Sequence, residues 1–168
     1  MRAAWSASSF SFTSKEASSR RRLGILLALV SLAGCGSGEK STGQTRVLLE
    51  SPTTTAAVSV EMADTDSERA RGLMGRASLP AHTGMLFVWG EDHRGPFWMK
   101  DTLIPLSIAF YGADGRILRI LDMVPCKRDP CPLYDPGVAY RGALEVNAGA
   151  FRRWGISEGD RLRITSAQ

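Results

Sequence analysis

The sequence predicts a mainly β domain, a compact antiparallel sandwich or barrel with one or two short helices. Three observations carry this: short runs of alternating apolar and polar residues, Gly and Pro turn signals between them, and an Asp-Gly hairpin.

Residues 45–49 and 56–62 hold β-branched side chains, and the second run sets Val58, Val60 and Met62 against Ser59 and Glu61. Such period-two alternation belongs to a half-buried strand. At Thr65-Asp66-Ser67-Glu68 a hydroxyl precedes a Glu by three positions, the spacing of a capping box, so a short helix starts there. Ala70, Leu73 and Met74 fall at i, i+3 and i+4 and are expected to face inward, with Glu68, Arg69 and Arg71 in water. Gly72 or Gly75 ends the helix. Residues 85–89 read as a buried strand, and Gly95-Pro96 as a turn feeding another at Phe97-Trp98-Met99.

Pro105 keeps residues 100–106 as a loop. Residues 107–111 and 116–123, joined through Ala113-Asp114-Gly115, form a hairpin. Residues 138–146 are a further strand, followed by the turn Asn147-Ala148-Gly149 and a helical turn at 150–154. A last strand at 161–165 is entered through Glu158-Gly159-Asp160, giving seven or eight short strands in all.

The N-terminus has a different character. Residues 1–19 are rich in Ser and Ala, and Arg20-Arg21-Arg22 precedes an uncharged run of eleven residues, 23–33. A membrane-spanning helix needs roughly twenty apolar residues, so this run describes a secretory signal. Leu32-Ala33-Gly34-Cys35 resembles the bacterial lipobox, which implies cleavage before Cys35 and diacylglycerol on its thiol. The expected organisation is a signal peptide at 1–34, the lipidated Cys35 with a polar tether at 35–45, and one domain at 46–168. The expected location is the bacterial cell envelope, anchored by lipid and facing the periplasm, with Gly36 favouring the outer membrane by resemblance to enterobacterial sorting. Ser19-Arg20-Arg21-Arg22-Leu23 leaves the twin-arginine route open beside general secretion, and the length of the n-region leaves the start codon open.

The overall charge of +4 is misleading. Of the 21 Lys and Arg, five precede Cys35, and of the 17 Asp and Glu, one does, leaving 16 of each in the remainder. A neutral body without a basic stripe excludes nucleic acid as an expected partner.

From about Val58 onward the chain resembles the DUF192 family, a domain of unknown function. The resemblance rests on Ala63-Asp64-Thr65, Glu68-Arg69-Ala70-Arg71-Gly72-Leu73-Met74, Leu79-Pro80, Gly84-Met85-Leu86-Phe87-Val88, Phe97-Trp98-Met99-Lys100, Thr102-Leu103-Ile104-Pro105-Leu106, Leu144-Glu145-Val146-Asn147-Ala148-Gly149 and Gly159-Asp160. It implies a small β-rich fold, often exported, without an agreed reaction. Two positions depart from the family pattern: Asp101 stands where Asn is usual, and Ser107 where Asp is usual.

Cys126 and Cys131, in a loop of an exported chain, are expected to form a disulfide. Closing so short a loop contributes about 2 kcal/mol by the chain-entropy estimate. The candidate ligand-binding residues are Arg71, Arg76, Trp98, Lys100, Asp101, Thr102 and Glu145. They combine an aromatic face, cations and carboxylates around one strand-to-loop segment, where binding sites concentrate. Glu145 points opposite to Leu144 and Val146 and is expected to pair with a cation. His82, His93, Met74, Met85 and Met99 form no recognised ligand string, so neither metal nor cofactor is expected. Nor does the chain hold a nucleophile elbow, a phosphate loop or a zinc-protease helix.

The leading expectation is a non-enzymatic domain that binds a small ligand or assists an envelope protein. Two alternatives stand beside it: a hydrolase or carbohydrate-active enzyme using Asp101 and Glu145, and a structural protein-interaction module.

Overall fold

The structure, a computed structural model, describes residues 45–165. The expected signal peptide, Cys35 and most of the expected tether lie outside the described residues. The strands are β1 (Arg46–Glu50), β2 (Thr55–Ala63), β3 (Thr83–His93), β4 (Phe97–Trp98), β5 (Leu106–Tyr111), β6 (Ile117–Met123), β7 (Leu133–Tyr134), β8 (Tyr140–Asn147) and β9 (Arg161–Thr165). Two short helices, α1 (Asp66–Arg71) and α2 (Ala150–Arg153), complete the set.

Seven strands form one sheet in the order β6-β5-β8-β3-β2-β1-β9, curled into a half-barrel. Every pairing in it is antiparallel except β2 with β3. That parallel step requires a crossover, and α1 with the turns after it supplies one. The outer strands meet at one corner, where Arg116 bridges Arg161 and the Leu162 amide donates to the Gly115 carbonyl at 2.7 Å. The mainly β expectation therefore holds, with one strand beyond it: β7, which pairs β4 in a separate two-stranded sheet.

The central strands are buried on both faces. Along β3, Leu86 joins one apolar cluster while Met85 and Phe87 join another. Along β5, Ala109 and Tyr111 belong to the first and Leu106, Ile108 and Phe110 to the second. The first cluster takes in Val47, Val58 and Leu162 together with Phe151 of α2. The second lies on the opposite face, under Met99 and Phe97, which are held by the β4–β7 sheet and the loops beside it. Backbones approach closely here: a Cβ on Gly84 would lie 2.3 Å from the Glu145 carbonyl oxygen.

The capping box forms as the spacing predicts, with the Glu68 amide donating to Thr65 Oγ1 and the Thr65 amide to the Glu68 carboxylate at 3.1 Å. Gly72 closes α1 at φ +49°. The expected inward face forms only in part: Leu73 is buried and Met74 half-buried, but both lie beyond the end of α1, and Ala70 is exposed. The buried helical contact comes instead from Arg69, whose side chain is only 17% exposed. A helix of six residues makes less than two turns, too few for an apolar stripe to fix its orientation.

Replacing Thr65 by Ala should lower the unfolding free energy by about 1 kcal/mol, read as a shift in the urea midpoint at unchanged slope. Replacing Phe151 by Ala should cost more, about 3–5 kcal/mol.

Candidate functional site

The site is built around one residue of β8. Strand alternation sends Leu144 and Val146 into the inner cluster, so Glu145 projects to the other face. Its neighbours across the ladder are Met85 and Ile108, neither able to hydrogen-bond a carboxylate through its side chain. Glu145 is 5% exposed, and among the described residues its carboxyl has neither a hydrogen-bond partner nor an ion pair. The expected pairing with a cation is thus not formed. Burial pushes the Glu145 carboxyl up to about 8, which makes it a neutral acid at pH 7.

A cavity of about 30 Å³ opens against it, with Arg69, Arg71, Leu73, Met74, Phe87, Trp98 and Thr102 around it. Two backbone segments form its walls. One leaves α1 through Gly72; the other follows β4. They are tied together by the Gly75 amide, which donates to the Asp101 carbonyl at 2.8 Å. Asp101 adopts φ +54°, in the left-handed region that Asn and Asp occupy far more readily than most residues. The usual Asn and the present Asp are therefore equivalent for the backbone.

The two arginines nearest the cavity differ. Arg69 is fully engaged, donating to the Asp64 carbonyl at 2.6 Å, to the Val88 carbonyl at 2.8 Å and to Asp66 at 2.6 Å. Its guanidinium also lies 5.3 Å from the Trp89 ring centre. Arg71 has no side-chain partner among the described residues. Trp98, 49% exposed, also lines the cavity, with Lys100 Nζ 5.7 Å from its ring centre. Thr102 is buried and donates only a long bond, 3.3 Å, to the Lys100 carbonyl.

Arg71, Trp98, Thr102 and Glu145 thus line one cavity. Three other candidates fall outside it. Arg76 turns away to form a two-pronged ion pair with Glu61 of β2. Lys100 and Asp101 line the neighbouring hollow of the disulfide loop, where Lys100 lies 3.8 Å from Asp129. Leu73, Met74 and Phe97 were not among the expected site residues. Leu73 and Met74 were assigned to a helical face that the early end of α1 removes.

Cys126 and Cys131 are joined in a disulfide with Cα atoms 5.4 Å apart. Among the described residues the one grouping of three metal-ligand candidates is Cys126, Asp129 and Cys131. Both sulfurs are consumed by the disulfide, so neither can act as a thiolate ligand. Of the Met and His residues that form no ligand string, Met85 and Met99 are core, His82 stacks on Trp154 at 5.2 Å and His93 on Trp89 at 4.6 Å.

Ser107 belongs to the opposite face of the sheet. It donates to Asp122, its partner across the β5–β6 pair, and accepts from the Gly149 amide at 2.8 Å. That hydrogen bond and the Arg152 guanidinium hold the Asp122 carboxyl below the usual range. A carboxylate is therefore present beside position 107, supplied by the adjoining strand, and the change there leaves the Glu145 cavity untouched.

Glu145 has an ordinary value of 4.5 and is pushed up to about 8 in the fold, so across that window the folded state holds a proton that the unfolded chain has lost. Stability therefore falls as pH rises through the window and levels off above it. Glu145→Gln, neutral throughout, should gain on the wild type steadily between about pH 5 and 8, by up to a few kcal/mol. Urea unfolding across that range checks it, and a difference independent of pH would mean a solvated carboxyl.

The DUF192 family profile, described as "Uncharacterized ACR", matches residues 47–164. No curated protein matches the chain. Among solved structures, a Sinorhizobium meliloti protein provisionally labelled a transcription regulator is 38% identical, with a TM-score of 0.67 over 75% of this chain and 97% of its own. A Novosphingobium aromaticivorans protein of unknown function is 30% identical, with a TM-score of 0.65 over 83% of this chain and 99% of its own. The match across both walls of the cavity, its Glu145 floor and nearly all of the described sheet makes this chain a member of the DUF192 family.

Proposed function

We propose that this protein is a lipid-anchored, non-enzymatic binding module of the bacterial envelope, with Glu145 at the base of its ligand site. The carrying observation is a buried acid with no partner that lines one cavity together with an exposed tryptophan. An unpaired buried polar group costs about 1–3 kcal/mol, which a ligand group able to donate and accept would recover.

Size limits how a ligand fits. Whole-ligand pockets run to roughly 300–1,000 Å³, whereas this cavity of about 30 Å³ admits one or two waters or one small polar group. A ligand would insert that group toward Glu145 and lay the rest of its surface across Trp98. The leader and the motif ending at Cys35 support export and anchoring, a setting in which such ligands would be periplasmic.

The hydrolase alternative draws no support from the cavity, because Asp101 and Glu145 line different hollows. The regulator label of the Sinorhizobium relative is not extended to this chain, whose charge beyond residue 34 is balanced. A second reading has one observation in its favour. Among the described residues, four of the five exposed large apolar ones, Trp98, Leu103, Val124 and Leu133, lie on β4, β7 and the adjoining loops, which suits a protein partner.

Thermal-shift screening of the disulfide-bonded chain against sugars, cell-wall fragments, nucleotides and metal ions tests the proposal. A stabilising ligand should bind without turnover and weaken at least tenfold in Trp98→Ala. Binding that survives Trp98→Ala, or no stabilisation by any class, would shift the assignment to the protein-partner surface, to be pursued by pull-down with Leu133→Glu as control.

A further inference from the structure

We propose that the Glu145 cavity selects a carboxylated sugar, whose carboxylate enters between Arg71 and Glu145 and whose C–H face rests on Trp98. The inference rests on the reading of this cavity as a ligand site and names the ligand class.

Charge decides the sign of the ligand. Arg69, Arg71 and Glu145 are the charged or titratable residues lining the cavity. The strand neighbours Met85 and Ile108 contribute none, and Lys100 stands outside beside Trp98. Arg69 is already matched by Asp66 and two carbonyls, which leaves Arg71 as the cation without a counter-charge. An ammonium group entering here would meet Arg71 and Lys100 and be repelled.

Hydrogen bonding decides the group. With its carboxyl protonated, Glu145 donates one O–H, and a ligand carboxylate accepts it while its second oxygen accepts from the Arg71 guanidinium. A hydroxyl would satisfy Glu145 but leave Arg71 unmatched. Phosphate would carry more charge and bulk into a space of about 30 Å³. Trp98 supplies the remaining contact, since half its surface is open and a pyranose presents a C–H face to stack on it.

This arrangement needs the Glu145 proton, so binding should weaken as pH rises through about 8. Calorimetry on the full disulfide-bonded chain would compare glucuronate and galacturonate with glucose, glucosamine and inorganic phosphate at about pH 6 and 9.5. The expected result is at least tenfold preference for the acidic sugars at the lower pH, lost by roughly tenfold or more at the higher one. Glu145→Gln should keep the binding and flatten the pH profile, and Arg71→Gln should reduce the acids to the level of glucose. Equal binding of glucose, a preference for glucosamine or phosphate, or failure of both uronates overturns the inference. If another ligand class binds and weakens in Trp98→Ala, the cavity remains a ligand site; if nothing binds, that reading fails as well.

Discussion

Burial of the three central strands on both faces governs the rest of this structure. β5, β8 and β3 lie between an inner core closed by α2 and an outer core closed by the β4–β7 sheet. Such strands carry apolar side chains in both directions, and β5 is buried at every position. A single glutamate placed in that setting is almost wholly withdrawn from bulk water, and its ladder neighbours give it no hydrogen bond. Its raised pKa, its missing partner and the cavity against it are consequences of one placement. A desolvated and solitary acid beside a cavity is a functional-site candidate, because the fold gains no ion pair or hydrogen bond from it.

The outer cover is correspondingly slight. Two residues of β4 pair two of β7, and the disulfide and the Gly75 to Asp101 hydrogen bond hold the adjacent loops together. Phe97 still packs edge-on against Phe87 at 5.1 Å and Phe110 at 5.5 Å, so the strand that exposes Trp98 is anchored by its inward neighbour. Alternation over just two residues divides them: Phe97 packs inward and fixes the strand, and Trp98 is left exposed. The disulfide fits this arrangement, since it constrains a loop whose backbone bonds directly to Met99 through the Cys126 amide.

Much of this was legible in the sequence, and the failures share a cause. Local signals fixed the strands: alternation at Val58 and Val60, the Asp114-Gly115 turn and the capping box all depend on residues within a few positions of each other. Non-local matches were invisible. β7 exists only because residues 133 and 134 meet 97 and 98. Arg76 left the expected site because Glu61 stands within reach on β2, and Arg69 turned inward because Trp89 and the Val88 carbonyl await it. Alternation gave the direction of Glu145 correctly but not its depth, so a paired glutamate was expected where a solitary one is found.

The two departures from the family pattern show how the fold separates its polar groups. At position 101 the backbone sets the requirement, and any residue comfortable at φ +54° meets it, which explains why Asn and Asp interchange. At position 107 the requirement is a polar link from β5 to the Gly149 amide and Asp122 on the inner-cluster side of the sheet. Neither position contributes a side chain to the Glu145 cavity. A change of side chain at either position therefore leaves Arg71, Trp98, Thr102 and Glu145 together. That separation follows from the period of the strand: residues 107 and 108 of β5 face opposite sides, and 108 is the one beside Glu145.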